Sequence, residues 1–205
     1  MFRKVVGPLA CCLFLTWGIV AAPRKDDSPP AYHLASKVGD KMLYEDRRGD
    51  QSEEYVMEVI EAKPKGAAMI VTVRRVQDGR TSEPWRNEAS DKGVWKVAEG
   101  DGVFESPKCV VRLPFHKGDT WETPYWFHGE RITAKYTSAG EEDVEVPAGK
   151  FRCLRIEAKS LVSGDTWTET RWMAPRVGMV KEELAGSDNR PVLTTVLKSF
   201  SPGDK

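Results

Sequence analysis

From Tyr32 onward, apolar and polar residues alternate in short stretches, cut apart by turns that carry Gly, Pro, Asp or Asn. Tyr55, Met57 and Val59 fall on one face of EYVMEVIEA, and Met69, Val71 and Val73 on one face of AMIVTVRR. Trp95 and Val97 do the same in VWKVA. A period of two marks half-buried β-strands. Some stretches are apolar on both faces: Val56 and Ile60 oppose the Tyr55 set, which predicts that part of the sheet is covered on its second side. Turns are predicted at Arg48-Gly49-Asp50, Pro64-Lys65-Gly66, Asp78-Gly79, Lys92-Gly93 and Gly100-Asp101-Gly102. Others are predicted at Ala139-Gly140, Ala148-Gly149, Ser163-Gly164-Asp165 and Gly186-Ser187-Asp188-Asn189. Glycine supplies the positive φ such reversals need, and Asp and Asn bond back to the local backbone. No apolar 3.6 period with caps lasts three turns. The pattern predicts an all-β fold, an antiparallel meander of about ten strands curved into a barrel or half-barrel, with little helix beyond the N-terminal segment.

Two segments echo one another. LASKVGDKMLYE (34–45) and LPFHKGDTWET (113–123) both pass through Lys and Gly-Asp into an aromatic-containing strand. The pattern is expected to reflect one physical way of starting a strand, used twice.

The first residues follow a different logic. Arg3 and Lys4 precede an apolar run from Val5 to Val20, and small residues follow at Ala21 and Ala22. This is the order of a secretory signal peptide cleaved near Ala21, so residues 1–21 are set apart from the fold. The run is too short, and too interrupted by Gly7 and Pro8, for a spanning helix. Lipidation at Cys11 is the weaker alternative, because most of the apolar run follows that residue. Residues 22–31, charged and proline-rich, read as a flexible leader, and residues 32–205 as one β domain. The exported protein is expected in the periplasm or outside the cell, soluble and without a membrane span.

The 31 basic and 31 acidic residues balance. Loss of Arg3 and Lys4 with the signal leaves a slightly acidic chain, with no basic surplus for nucleic acid. Four cysteines become two, Cys109 and Cys153. An oxidising compartment would permit a disulfide between them. Their pattern favours two separate thiols: Cys109 shares a face with Val111 and Leu113, whereas Cys153 lies opposite Leu154, Ile156 and Ala158.

Catalytic signatures are sparse. None of the three histidines, His33, His116 and His128, stands at a zinc-ligand spacing from another histidine or cysteine. His128 and Glu130, with His116 and Asp119 brought near, form the one conceivable metal site, and a metal-assisted hydrolase is the corresponding enzymatic alternative. No nucleophile elbow, phosphate loop or dinucleotide fingerprint is present, and no cofactor is expected. Tyr125-Trp126-Phe127 is the most suggestive binding feature, since three adjacent aromatics on a strand must point to both faces. A carbohydrate-binding surface there is a further alternative. The leading expectation is a non-enzymatic envelope protein that binds an apolar ligand or a protein partner on its curved sheet.

Four segments carry a resemblance. Lys37-Val38-Gly39-Asp40-Lys41-Met42-Leu43-Tyr44 resembles the "KVG-x-x-W-x-Y" opening of the DUF3108-like or TapB-like exported bacterial domains. Glu142 to Phe151, EDVEVPAGKF, is similar to their "E-x-V-x-V-P-A-G-x-F" centre. Trp172 to Lys181, WMAPRVGMVK, looks like their "W-Y-A-P-G-V-G-L-V-K" strand pair, and Val196 to Phe200 like their closing strand. Met42, Met173 and Arg176 depart from the pattern, the last replacing a glycine. The resemblance implies an exported β-rich domain, akin in shape to half-barrel lipoprotein carriers, and brings no agreed activity or site.

Overall fold

The computed structural model describes residues 33–127 and 130–203, with the backbone alone for 125–127 and 130. The segments read as signal peptide and leader, and His128, lie outside the described residues.

Thirteen strands, all paired antiparallel, form a single sheet. They are β1 (Lys41–Arg48), β2 (Gln51–Lys65), β3 (Ala68–Gln77), β4 (Arg80–Thr81), β5 (Trp85–Ser90), β6 (Gly93–Glu99) and β7 (Gly102–Arg112). They continue with β8 (Thr120–Phe127), β9 (Glu130–Val146), β10 (Gly149–Val162), β11 (Asp165–Ala174), β12 (Gly178–Ala185) and β13 (Pro191–Ser201). No described residue is α-helical. The order β7-β6-β5-β3-β2-β1-β13-β12-β11-β10-β9-β8 is a meander whose first and last halves are joined by the β1–β13 ladder. β7 and β8 bring the two edges of the sheet together without a ladder, so the barrel is nearly closed. Across that seam the Trp121 indole N–H donates to the Cys109 carbonyl at 3.4 Å.

Most predicted turns fall where the sequence places them. Asp78-Gly79 and Ser163-Gly164 hold positive φ at both residues, the conformation of tight hairpins. Arg176 also sits at positive φ, 65°, a backbone conformation that glycine adopts without steric cost. At Gly93 no side chain fits, because a Cβ would stand 1.9 Å from the Val111 carbonyl oxygen.

Two expectations are corrected. Ala139-Gly140 is no turn: β9 runs through it, with Gly140 at φ 106° and a register shift opposite Arg155–Ile156. On β6 the lumen-facing residues are Val94, Lys96 and Ala98 rather than Trp95 and Val97; Lys96 lines a cavity, and Val94 and Ala98 are buried. On β7 the register shift between Val94 and Trp95 sets Cys109 opposite Trp95, and Cys109 still packs with Leu113 against the cluster that contains Val111, as its pattern predicts.

The bend at Gly140 explains the segment EDVEVPAGKF. Beyond it the β9–β10 hairpin folds back over the outer face of β11–β13. Its tip is tied down by Ala148 N–H donating to the Leu197 carbonyl at 3.2 Å, and the Trp172 indole N–H bonds to the Glu142 carboxylate. Val144, Ala148 and Phe151 pack against a cluster that contains Cys153, Trp172 and Val196. The second side of this part of the sheet is thus covered, whereas Val56 and Ile60, where the sequence places such a cover, lie on β2 and are half-buried. Cys153 is buried there, while Cys109 belongs to the other apolar cluster. Both are free thiols in this structure.

The two echoing segments adopt one local structure. Lys37 N–H donates to the Asp40 carboxylate and Asp40 N–H returns to the Lys37 carbonyl. His116 and Asp119 repeat both bonds. Each Asp closes a turn that launches a strand, which is the expected physical solution used twice.

Candidate functional site

The two ends of the barrel differ. At the lower end, where β1 starts, the segment 33–40 tucks under the sheet: Ala35 is fully buried and Leu34 packs against both apolar clusters. At the upper end lie the hairpin turns β1–β2, β6–β7, β10–β11 and β12–β13.

Between the ends, strands distant in the sheet order face one another across a lumen that side chains fill only in part. One cavity of about 360 Å³ runs between Tyr55, Met57, Arg75 and Trp85 on one wall and Arg171 and Glu182 on the other. A second, about 260 Å³, is lined by Lys108, Ala134, Ala158, Val162, Trp167 and Leu184 among others. A third, about 270 Å³, lies above the N-terminal plug, against Leu34, Met42, Val177 and Met173.

A charged cluster divides these spaces. β11 alternates, so Glu169, Arg171 and Met173 point inward, and the β11–β12 register sets Glu182 directly opposite Arg171. The Arg171 guanidinium bonds to Glu182 at 2.7 Å and pairs with Glu169 as well. Lys108 reaches in from β7, and Lys96 pairs with Glu99 at 2.9 Å. Further along the wall, Arg75 stacks on the Tyr55 ring at 3.6 Å, and Thr195 donates to Asp46 at 2.6 Å.

Burial and mutual fields set the protonation of this cluster. Burial and the neighbouring Glu169 push the Glu182 carboxyl up to about 7, against the pull of Arg171. Burial also disfavours the Glu169 anion, but Arg171, Lys108 and hydrogen bonds outweigh it and hold that carboxyl low. Burial first, then Arg171, brings the Lys108 ammonium down to about 8. Two carboxyls pushed apart in this way sometimes mark an acid–base pair. Here both are bonded to one guanidinium and to each other, which leaves no gap for a substrate between them.

The residues singled out from sequence stand elsewhere. His116 lies in the turn before β8, its ring Nδ1 3.3 Å from Asp119. Glu130 begins β9 at the far end of that strand, about 24 Å away at the usual rise per residue. The fold does not bring them together, and among the described residues no group of three or more His, Cys, Asp or Glu could hold a metal. Tyr125, Trp126 and Phe127 pair with Ile132, Arg131 and Glu130, which places this stretch at the upper end beside the β8–β9 turn. Sequence reasoning missed the Glu169–Arg171–Glu182 cluster and Lys108. The signal was present as TETR in β11, with charges at alternate positions on a strand whose other residues pack.

Residues 135–197, from within β9 to within β13, match the model of the DUF3108-like family, so the motif resemblance holds over that segment. No curated protein matches the chain. Among solved structures, it resembles a protein of Bacteroides fragilis assigned as exported, with a YmcC-like fold, at a TM-score of 0.61 and 17% identity. That match covers 83% of this chain and 99% of the other. A protein of Parabacteroides distasonis assigned as a lipoprotein gives a TM-score of 0.61 at 13% identity, with the same coverage. At such identities these likenesses establish the fold alone: an all-β, nearly closed barrel shared with a protein assigned as exported and one assigned as a lipoprotein.

Proposed function

We propose, from the DUF3108-like segment and the fold shared with proteins assigned as exported, that this is an envelope binding protein which takes a small, largely apolar ligand into its barrel. It works by binding rather than by catalysis, in the periplasm or outside the cell. The observation that carries this reading is the partly empty lumen. A barrel that served only as scaffold would fill its interior with side chains. This one keeps cavities bounded by Trp, Tyr, Met, Val and Leu around a few convergent charges, the usual composition of a small-molecule site. Keeping those charges inside is costly, since apolar residues of similar size would often be more stable.

Native mass spectrometry of the protein purified from envelope extracts tests the reading. The expected spectrum contains a species heavier than the mature chain that loses a small molecule on activation. Bare protein under all gentle conditions, together with one dominant crosslinked protein partner, would move the function to the outer surface.

A further inference from the structure

We propose that the compartment above the N-terminal plug is a binding site for a flat, uncharged ring system that carries a hydroxyl group. This rests on the lumen being a ligand chamber, and it names the ligand class for this one compartment.

The walls are rich in thioether sulfur. Of the six methionines in the chain, Met42, Met57, Met173 and Met179 all line this compartment. They form two cross-strand pairs, Met42 opposite Met57 and Met173 opposite Met179. The larger cavity beside it shares Tyr55, Met57, Trp85, Arg171 and Met179, so the two spaces are continuous. A core built only for packing takes Leu, Ile and Val, whose rotamers are well defined. Methionine is unbranched and polarisable, so it closes around a guest of irregular outline and makes favourable contacts with aromatic rings. Two protein rings add flat surface. Trp85 and Tyr55 line both spaces, and the Tyr55 plane is fixed by Tyr44 stacked at 5.4 Å and by the Arg75 guanidinium 3.6 Å from its centroid.

Polar groups select the substituent. Two charged side chains line the compartment, Lys96 and Arg171. Both are paired, Lys96 with Glu99 and Arg171 with Glu169 and Glu182. A charged ligand would have to compete for those partners, so the site favours an uncharged one. Asn87 is different. It is 6% exposed and lines the same space as Trp85, two residues before it on β5. Its side-chain amide makes no hydrogen bond to any other described residue. A buried amide left without a partner is costly. The amide both donates and accepts, as a hydroxyl does. Residues two apart on a strand stand roughly 7 Å from one another, so a hydroxyl on the edge of a ring lying against Trp85 comes within reach of Asn87.

NMR of the mature protein with labelled Met and Ala methyls, titrated separately with 2-naphthol, naphthalene and decanol, tests the assignment. 2-Naphthol is expected to shift the Met42, Met57, Met173 and Met179 methyls through its ring current, while Met69, which lines neither space, stays in place. Naphthalene should bind about fivefold more weakly for want of the hydroxyl. Asn87→Leu should bring 2-naphthol down to the naphthalene level, and decanol should leave the four methionines largely unmoved. Equal affinity for 2-naphthol and naphthalene in the wild type overturns the hydroxyl assignment, whether or not the variant folds. Methionine shifts with decanol as large as those with 2-naphthol overturn the preference for a ring. Shifts at Ala134 and Ala158 in the other cavity, with the four methionines unmoved by all three probes, overturn this site and leave the chamber standing. If no probe moves any of these methyls, the chamber falls as well.

Discussion

Replacing Arg171 by methionine is expected to lower the unfolding free energy by on the order of 3 kcal/mol at neutral pH. The loss comes from what remains rather than from what is removed. Glu169 and Glu182 project from adjacent strands into the lumen, and the guanidinium is bonded to both. Without it, two largely buried carboxyls face one another, and each must hold a proton or repel its neighbour. The cost should therefore grow with pH. Urea denaturation followed by tryptophan fluorescence reads it directly. A triple variant, E169L/R171M/E182L, removes the charges together and should recover most of the loss, since apolar replacements of a whole buried cluster are often neutral or stabilising. If R171M alone unfolds at the wild-type urea midpoint, the cluster is solvated and the electrostatic account of the lumen fails.

The second large effect is a pH dependence assigned to one residue. In the folded protein the Glu182 carboxyl is pushed up to about 7 from its usual 4.5. A raised pKa means that the folded state binds the proton more tightly than the unfolded chain does. The stability it contributes is thus fully present below pH 4.5 and is lost as pH rises toward 7. Glu169 acts in the opposite sense: its carboxyl is held low, so its contribution is present above 4.5 and lost in acid. The pair together favours stability near pH 4.5. Between that pH and 7 the wild type should lose about 2 kcal/mol more than a Glu182→Gln variant, allowing for screening by water in the cavities. Parallel pH profiles of the two proteins would contradict the assignment.

Much of the architecture was legible in the sequence, because a period of two with Gly and Asp punctuation is a local signal and most of these turns are local structures. Gly140 misled because a bulge and a turn both call for positive φ; only the pairing of Glu141 with Leu154 and of Ser138 with Ile156 shows that the ladder continues. Trp95 and Val97 misled for a related reason. They are the more hydrophobic alternate set, yet the lumen of a chamber takes Lys96 where a packed core would not. The site itself was hidden by non-local assembly. Lys108 and Glu169 lie on strands that are not neighbours in the sheet, and no spacing along the chain announces that a curved sheet will set them against one cavity. The WMAPRVGMVK segment identified the fold, whereas the charges just before it, at Glu169 and Arg171, mark the place where chemistry is concentrated.

Titration of methyl-labelled protein with decanoate, followed by NMR, tests most directly whether the barrel interior is the binding chamber. The expected result is saturable shifts at the Ala134, Ala158, Val162 and Leu184 methyls, which line the cavity, with little change at the exposed Val103 and Val192. Shifts confined to those exposed residues, with the lumen methyls unmoved, would contradict it.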